Sequence, residues 1–514
     1  MNTTIKSINN NDNIAELIMA SSRQFPEATA LIDQGRHVSY LQLVTKAQAL
    51  ARILLQSSSN FCVLYMDNDT DRYVAMIASL LANKTYVPIF PDAPLERCQV
   101  IVEQLEEACF VVKSQQTTKV NAILALAGER LTVDERCLAQ LDGAYEADWQ
   151  VRVENPYAVM MFTSGSTGIP KGVLLSHANI CRYIENVTSV FPVHEKHVFS
   201  HTTSYASDLH MHDLYVPWSK GAAVCLLSHS SEKRMMIEMK FNHVTHSLMV
   251  PAAVNQVRSN GFNVADYLPA MEVSMFAGEP LSRELCEYWA KITPNSAIYN
   301  FYGPAEATVA FTWHQWQSDD PSQYVPIGRA FDNQATKVLD DDGNPIRVGQ
   351  GELYLSGSQI TDGYFKDKVK TAKAYIEGED GIVWYKTNDL VELSNTGSLT
   401  FLGRTDDRMK IAGYRIERLD LETQLKQVTG LSALAVVAIG DDNFCDDFVI
   451  YTPFNSDHDQ ASILNKCKQA LPEYMRPAYV IFYDLPLSQN NKVNYIALRT
   501  HLKNWLNTFD EVAS

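Results

Sequence analysis

Short apolar runs alternate with segments of helical periodicity along most of the chain. The runs FCVLYM, CFVVK, AAVCLL and GELYLSG have the length and the β-rich composition of buried strands. The stretch YLQLVTKAQALARILLQ instead places apolar residues every three or four positions, as on one face of a helix. This alternation predicts an α/β fold, in which helices cover β-sheets that are mostly parallel.

The pattern changes near residues 395–416, where the segment NTGSLTFLGRTDDRMKIAGYRIE is rich in glycine and in charged residues. Such a change of composition is typical of a boundary or a hinge between domains. Beyond it, the chain has strand and helix patterns of its own in ALAVVAIG, DFVIYTPF and ASILNKCKQAL. We therefore predict a large N-terminal core over residues 1–403 and a small C-terminal α+β domain over residues 404–514.

Composition narrows the class of protein and its surroundings. The 514 residues carry a formal net charge of −17, which argues against a nucleic-acid partner and against an anionic membrane surface. The sequence lacks an apolar run long enough to cross a bilayer, and its polar N-terminus does not resemble a signal peptide. Nine cysteines without a CxxC pair indicate a reduced chain. We expect a cytoplasmic protein with no membrane and no nucleic-acid partner.

The segment FTSGSTGIPKGV, from Phe162 to Val173, combines glycines, hydroxyl side chains and a lysine. Backbone N–H groups, hydroxyls and a cation together suit a phosphate group, although the same composition also occurs in plain surface loops. The P-loop motif does not fit, because Pro170 stands where its second glycine would be and Gly172 follows Lys171. The flanking segments YAVMMF and HANICRYIENV predict a strand, a phosphate loop and a helix, as in a nucleotide-binding α/β protein.

These residues resemble a known family. FTSGSTGIPKGVLLSH is similar to the phosphate-loop signature of the adenylate-forming superfamily, which comprises acyl-CoA synthetases, luciferases and the adenylation domains of nonribosomal peptide synthetases. Further signatures of the family occur in the right order: LLANKTYVPIFPDAPLER, NFYGPAEAT, YKTNDL, GRTDDRMKIAGYRIE and PLSQNNKVN. The resemblance spans nearly the whole chain and favours the amino-acid-activating branch. Two positions depart from it, since Asn388 and Asn491 replace glycines of the family motifs.

The resemblance implies an ATP-dependent ligase. A carboxylate attacks the α-phosphorus of ATP and gives an acyl adenylate and pyrophosphate, and a thiol then displaces AMP. Lys492 matches the catalytic lysine, Glu306 the magnesium-binding glutamate, and Asp406 a hinge about which the C-terminal domain turns to bring Gly413 toward a pantetheine arm. The residues that match ATP-binding positions are Thr163, Ser164, Gly165, Ser166, Thr167, Gly168 and Lys171 at the phosphates, Asn300 and Tyr302 at adenine, and Asp389 and Arg404 at the ribose.

The same resemblance indicates which acid is activated. Within SYASDLHMHDLYVPWSKGA, Asp208 matches the aspartate that pairs with the α-ammonium of an amino acid, and a competing alignment would use Asp213. The side-chain pocket is then formed by Leu209, His212, Leu248, Met275, Ala277, Phe301, Val309 and Ala310. This lining is apolar apart from one polar group, and it predicts a small to medium apolar side chain. It resembles the lining of L-proline-activating ligases of pyrrole and anatoxin-type alkaloid pathways.

Several alternatives stay open. The stretch DLYVPW is similar to a motif of D-alanine–carrier-protein ligases, and an acyl-CoA ligase would use CoA as the acceptor. A non-catalytic nucleotide-binding relative is disfavoured, because Lys492 and Glu306 are both present. His210 and His212 with Asp213 also suggest a metal site, but zinc needs three or four ligands and two histidines spaced by two share a face only on a strand. Packing for His210 and pocket lining for His212 are favoured.

The last expectation concerns motifs of carrier and condensation domains. The sequence has neither the GGxS motif of a carrier-protein attachment site nor the HHxxxD motif of a condensation domain. We therefore expect a free-standing ligase that loads a separate phosphopantetheinylated carrier protein and uses ATP and Mg²⁺.

Overall fold

The computed structural model describes most of the chain, and the fold divides into two compact units. The described residues are 12–93, 95–128, 130–163, 170–205, 207–228, 231–320, 322–340, 342–404, 408–412, 414–431, 433–440, 444–454, 459–486, 493 and 495–513. The first unit consists of Met1–Pro91, Cys98–Phe162 and Gly172–Leu402. The second consists of Asp92–Arg97, Thr163–Lys171 and Gly403–Ser514.

The helices follow one another in chain order as α1 (Ile14–Gln24), α2 (Tyr40–Leu54), α3 (Thr70–Leu81), α4 (Leu95–Leu105), α5 (Thr117–Ala127), α6 (Glu135–Ala139), α7 (His177–Val190), α8 (His210–Trp218), α9 (Glu232–Phe241), α10 (Pro251–Ser259), α11 (Arg283–Ile292), α12 (Lys368–Ala374), α13 (Arg418–Thr429), α14 (Gln460–Ala470) and α15 (Tyr495–Ala513). Short 3₁₀ helices span Ala305–Ala307 and Glu473–Met475.

The strands are β1 (Thr29–Asp33), β2 (Arg36–Ser39), β3 (Phe61–Met66), β4 (Thr85–Ile89), β5 (Cys109–Lys113), β6 (Thr132–Val133), β7 (Tyr157–Thr163), β8 (Lys171–Ser176), β9 (Val198–His201), β10 (Ala223–Leu226), β11 (His246–Met249), β12 (Val273–Ala277), β13 (Ala297–Tyr302), β14 (Thr312–Gln315), β15 (Arg329–Ala330), β16 (Gln334–Leu339), β17 (Gly349–Gly357), β18 (Tyr375–Glu377), β19 (Val383–Leu393), β20 (Leu399–Arg404), β21 (Arg408–Ile411), β22 (Tyr414–Glu417), β23 (Ala435–Gly440), β24 (Phe444–Thr452) and β25 (Tyr479–Phe482).

Two large sheets of the first unit have parallel centres. The nine-stranded sheet has the order β15-β14-β13-β12-β11-β9-β10-β1-β2, and the strands from β13 to β1 pair in parallel. The six-stranded sheet has the order β6-β5-β3-β4-β7-β8, with parallel pairing from β6 to β7. Helix α8 packs on β9 and β10, and α3 packs on β3 and β4. The predicted α/β fold of helix-covered parallel sheets is confirmed for these two sheets.

The third sheet of the chain contains antiparallel strand pairs, in addition to the mostly parallel sheets that were predicted. The run GELYLSG lies in β17, which pairs antiparallel with β16 and with β19. Buried and partly exposed residues alternate along β17, so one face of the strand packs and the other meets water. This alternation is the pattern of an antiparallel sheet, whereas parallel strands are buried on both faces.

The nine-stranded sheet is buried on both faces at β12. Met275 belongs to one buried cluster and its neighbour Phe276 to another, because successive side chains point to opposite sides of a strand. The cluster on the Met275 face also contains Leu248 and Phe301 from the adjacent strands. This face therefore brings together side chains that are far apart in the sequence.

Two of the predicted helices begin at a side-chain cap. Helix α2 starts at a capping box, in which the Ser39 hydroxyl accepts from the backbone N–H of Gln42 and the Gln42 side chain accepts from the backbone of Ser39. Helix α7 starts in the same way with Ser176 and Asn179. The predicted helices over YLQLVTKAQALARILLQ and HANICRYIENV are thus confirmed.

The segment around the glycine-rich loop differs from the prediction by one strand. YAVMMF lies in β7 as predicted, but residues after the loop form β8 before α7 begins. Val173 and Leu175 are buried, and Val173 bridges to Tyr364, so burial favours an extended conformation here. The order is therefore strand, loop, strand, helix. Residues 164–169 of the loop lie outside the described residues.

The second unit has a sheet and a core of its own. Its sheet has the order β22-β21-β24-β23, with β25 beside β24, and mixes parallel and antiparallel pairs. Buried side chains from α13, α14 and the strands form one cluster that includes Leu421, Val436, Ile450 and Ile463. Within the described part of the chain, none of the helices is long and apolar enough to cross a membrane.

Candidate active site

Two residues predicted to bind different parts of ATP are in direct contact. Tyr302 is the last residue of β13, and its hydroxyl donates a hydrogen bond to the buried carboxylate of Asp389 in β19. In α/β sheets, ligands bind beyond the carboxyl ends of parallel strands, and Tyr302 lies at that edge. The structure therefore brings the predicted adenine and ribose residues together at the position expected for a nucleotide.

A β-bulge orients Asp389. The register between β17 and β19 shifts between Glu352 and Tyr354, so β19 has extra residues here. Asn388 adopts a left-handed conformation with φ of 57°, and the Thr387 hydroxyl donates to the Leu353 carbonyl and accepts from the Asp389 N–H. Asparagine is among the few residues that tolerate this conformation, so it can replace the glycine of the family motif.

Asn300 is buried in β13, two residues before Tyr302. Its side-chain nitrogen donates to the carbonyl oxygens of Val325 at 2.9 Å and Pro326 at 3.1 Å. Both N–H groups of the amide are thus used, and its oxygen is the atom left to recognise a ligand. An acceptor of this kind suits an exocyclic amino group such as that of adenine.

Glu306 occupies the 3₁₀ helix that follows β13. Its side chain is buried, and its carboxylate accepts a hydrogen bond of 2.8 Å from the Tyr364 hydroxyl. The described residues contain no group of three or more His, Cys, Asp or Glu side chains that could hold a metal ion. Magnesium in nucleotide sites is held by one or two carboxylates together with phosphate oxygens and water, so a single ordered carboxylate fits this ion.

The loop after Glu306 is held in an uncommon conformation. Thr308 and Val309 both have left-handed backbones, with φ of 59° and 67°. The fully buried Gln359 donates from Nε2 to the Ala310 carbonyl at 2.7 Å, and Asn186 of α7 donates to its Oε1 at 2.6 Å. Sequence reasoning missed Gln359 and Asn186, because neither lies in a motif or interrupts a periodic pattern. Together they fix the loop that presents two pocket residues.

The predicted pocket residues assemble on one side of the nine-stranded sheet. Leu248 of β11 lies beside Met275 of β12, and Ala277 of β12 lies beside Phe301 of β13. The apolar residues of the predicted lining all belong to the same buried cluster: Leu209, Leu248, Met275, Ala277, Phe301, Val309 and Ala310. The structure thus brings together residues that come from five separate segments of the chain.

His210 and His212 lie on helix α8 and contact different tyrosines. The Nε2 of His210 and the Tyr86 hydroxyl are 2.7 Å apart, while the Nδ1 of His212 is 2.7 Å from the Tyr183 hydroxyl. The His212 ring also makes an edge contact with Phe301 of the predicted pocket, at 6.5 Å between centroids. Burial lowers the pKa of each histidine to about 3, so both are neutral.

The two candidate aspartates have different surroundings. Asp208 is partly exposed just before α8, and its carbonyl accepts from the Met211 N–H. Asp213 is fully buried in α8, where its carboxyl accepts from the Thr203 hydroxyl at 2.8 Å and contacts His201 at 2.9 Å. Burial raises the pKa of Asp213. A buried carboxyl held by protein groups is not available to a substrate ammonium, and this favours Asp208.

The remaining predicted residues belong to the second unit or lie outside the described residues. Thr163 ends β7, Lys171 begins β8 and Arg404 ends β20, and all three belong to the second unit. The others lie outside the described residues: Ser164, Gly165, Ser166, Thr167, Gly168, Asp406, Gly413 and Lys492. Their roles stay predictions.

The predicted nucleotide residues Tyr302 and Asp389 thus meet at an edge of a parallel sheet, and the buried Glu306 follows the same strand. The chain belongs to the AMP-binding enzyme family, whose profile matches residues 18–365.

Two curated relatives are synthases by name. Bacitracin synthase 2 of Bacillus licheniformis is 28% identical over 498 residues, which is 95% of this chain and 18% of that protein. Syringomycin synthase SyrB1 of Pseudomonas syringae pv. syringae is 26% identical over 500 residues, which is 93% of this chain and 80% of that protein. The chain thus spans less than a fifth of the length of the first curated relatives that it matches.

Solved structures match over nearly the whole chain. The Vibrio cholerae adenylation domain AlmE, solved with glycyl-adenosine-5'-phosphate, has a TM-score of 0.85 and 25% identity, covering 98% of this chain and 100% of that one. PA1221, an NRPS protein containing adenylation and PCP domains, has a TM-score of 0.81 and 21% identity, covering 95% and 84%. The chain thus has the fold of these adenylation-domain structures.

Proposed function

We propose that the protein uses ATP to activate a compact amino acid, best L-proline, as an aminoacyl adenylate, and then transfers it to the phosphopantetheine thiol of a separate carrier protein. The observation that carries this proposal is the assembly of the pocket residues on one sheet face, next to Asp208 and below the nucleotide-binding edge. An amino acid that pairs with Asp208 through its ammonium directs its carboxylate to that edge and its side chain into the pocket.

In the first step, an oxygen of the substrate carboxylate attacks the α-phosphorus of ATP, and the bond to the bridging oxygen of pyrophosphate breaks. Tyr302 and Asn300 orient the adenine, and Asp389 accepts hydrogen bonds from the ribose hydroxyls in an orientation that Tyr302 and the β-bulge fix. Glu306 would hold Mg²⁺, which lowers the negative charge on the phosphate oxygens when bound. Lys492 supplies a cation where charge develops in the transition state.

In the second step, the thiolate of the carrier attacks the acyl carbon of the adenylate, and AMP leaves with the electron pair of the broken C–O bond. We propose that residues 404–514 turn about Asp406 between the two steps, which withdraws Lys492 and brings Gly413 toward the pantetheine arm. PA1221, which has the same fold, contains an adenylation domain and a PCP domain. This supports a carrier protein as the acceptor.

The size of the substrate follows from the pocket walls. Leu248, Met275 and Phe301 are bulky and almost fully buried, and as walls they narrow the pocket. The AlmE structure, which contains a glycyl adenylate, also supports a compact substrate. The walls offer no counter-charge, and burying an unpaired charge is costly. Among compact amino acids we favour L-proline, because the lining residues resemble those of L-proline-activating ligases.

We expect L-proline to give the fastest ATP–pyrophosphate exchange among the twenty standard amino acids and D-alanine. Close analogues should retain weak activity, because size alone discriminates by only about 1–3 kcal/mol per methylene group. A reaction without amino acid serves as the control. A preference for D-alanine would indicate that the protein is a D-alanine–carrier-protein ligase. A preference for an aromatic or charged amino acid would contradict the pocket assignment.

A further inference from the structure

Three buried imidazoles have a nitrogen atom without a hydrogen-bond partner in the described part of the chain: Nε2 of His201 in β9, of His212 in α8 and of His246 in β11. His201 packs against Tyr73 and contacts Asp213, whereas His212 and His246 both pack on Phe199. The His212 and His246 side chains are 0% and 1% exposed, so both are buried. Almost all buried polar atoms in proteins are hydrogen-bonded, and an unpaired one often marks the place of a ligand or of ordered water.

His246 lies at the inner end of the proposed amino-acid pocket. It is the first residue of β11 and faces the same side of the sheet as Leu248, because side chains alternate along a strand. Leu248 lies beside Met275 and lines the pocket nearer the carboxyl ends of the strands, where the reacting groups meet. The side chain of a bound amino acid, directed away from that edge, therefore points toward His246.

His212 approaches the same place from the helix that covers the sheet. The rings of His212 and His246 both pack on Phe199, with centroid distances of 6.0 Å and 4.5 Å. Burial, followed by the neighbouring imidazoles of His197 and His212, lowers the pKa of His246 to about 2. Both rings are therefore neutral at pH 7, and each has one N–H donor and one acceptor nitrogen.

The partners of the Nδ1 atoms indicate which nitrogen carries the proton. The buried Tyr183 hydroxyl contacts Nδ1 of His212. When Tyr183 donates its proton to Nδ1 in a hydrogen bond, Nδ1 is the acceptor nitrogen of the neutral ring, and the imidazole hydrogen is on Nε2. The Thr245 hydroxyl donates to the Val198 carbonyl and accepts from the Val198 N–H, and it can also accept from Nδ1 of His246 at 2.9 Å. Nε2 of His246 is then an acceptor.

We propose that the Nε2 atoms of His212 and His246 form a polar subsite at the inner end of the pocket that binds a hydroxyl group on the substrate's side chain. This inference rests on the proposed function. A hydroxyl donates one hydrogen bond and accepts two, so it satisfies an N–H and a lone pair at once. A carboxylate only accepts, an ammonium only donates, and either would bring an unpaired charge between apolar walls.

The subsite predicts a preference within pairs of amino acids that have the same shape. We expect trans-4-hydroxy-L-proline to be activated at least about tenfold more efficiently than L-proline, and L-homoserine about tenfold more than L-norvaline. The apolar member of each pair leaves both imidazole nitrogens unpaired in the complex. The preference for a hydroxyl group thus acts in addition to selection by the size of the side chain.

The test compares kcat/KM for ATP–pyrophosphate exchange within each pair, for the wild-type protein and for His246→Phe. The ratio of two substrates on one enzyme preparation does not depend on the fraction of active protein. In His246→Phe, which lacks the acceptor, the ratios should fall to about 1 or below. His177→Phe is a matched control, since His177 is also buried but its Nδ1 accepts from the Ile14 N–H outside the pocket, and its ratios should stay at the wild-type value.

The outcomes separate the two proposals. Wild-type ratios of about 1 or less would overturn the subsite, while the exchange itself would still support amino-acid activation. Unchanged ratios in His246→Phe would also overturn it. If His246→Phe does not fold, the wild-type ratios decide. Absence of exchange with every amino acid would overturn the proposed function itself.

Discussion

Replacing Lys492 with Ala is expected to lower the rate of adenylate formation by about 10²–10³-fold, the scale for losing one preorganised contact to charge that develops in a transition state. The lysine would contact the substrate carboxylate and the forming phosphoanhydride. ATP–pyrophosphate exchange with L-proline, at saturating ATP, measures this half-reaction. The expected loss is mainly in kcat, because the contact strengthens as the bond forms.

The second half-reaction provides the control for Lys492→Ala. Transfer from preformed aminoacyl adenylate to a phosphopantetheinylated carrier should change by only a few-fold, since the lysine has turned away with its domain by then. Single-turnover measurement of thioester formation gives this rate. Equal losses in both half-reactions would contradict the assigned role and the proposed rotation about Asp406.

Replacing Asp208 with Asn should lower the kcat/KM for the amino acid by at least about tenfold. The substitution keeps the size of the side chain but removes the charge that pairs with the substrate ammonium, and hydrogen bonds to charged groups contribute about 1.5–3 kcal/mol. The KM for ATP should change little, because Asp208 lies at the pocket and not at the nucleotide-binding edge. Pyrophosphate exchange at varied amino acid and at varied ATP separates these constants.

Asp213→Asn is the matched control, because it makes the same change in the same segment. Asp213 is buried against Thr203 and His201, so we expect a loss of thermal stability and a KM for the amino acid close to that of the wild type. If Asp213→Asn weakens amino-acid binding and Asp208→Asn does not, the alternative alignment is correct.

Helices and strands that depend on neighbouring residues could be predicted from the sequence. The helix α2 and the strand β3 follow from hydrophobic periodicity and from caps within a few residues. The antiparallel pairing of β17 and the strand β8 were not predicted, because pairing depends on partners that are distant in the sequence. Val173, for example, bridges to Tyr364. No window of neighbouring residues contains that information.

The candidate site was also predicted only in part. The family resemblance indicated Tyr302 and Asp389 as separate site residues, but their hydrogen bond depends on the fold, which brings β13 and β19 together. His246 and Gln359 were missed because neither lies in a family motif or interrupts a periodic pattern. Their significance depends on unpaired or shared hydrogen bonds that only three-dimensional neighbours reveal.

The most direct test of amino-acid adenylation is the identification of the products formed from ATP and L-proline in the absence of a carrier protein. We expect AMP-linked proline bound to the enzyme and pyrophosphate in equal amount, both detectable by mass spectrometry and by a pyrophosphate assay after a single turnover. Neither product should form when the amino acid is omitted. Release of ADP and phosphate, or an adenylate formed only with carboxylic acids that lack an α-amino group, would contradict the proposed function.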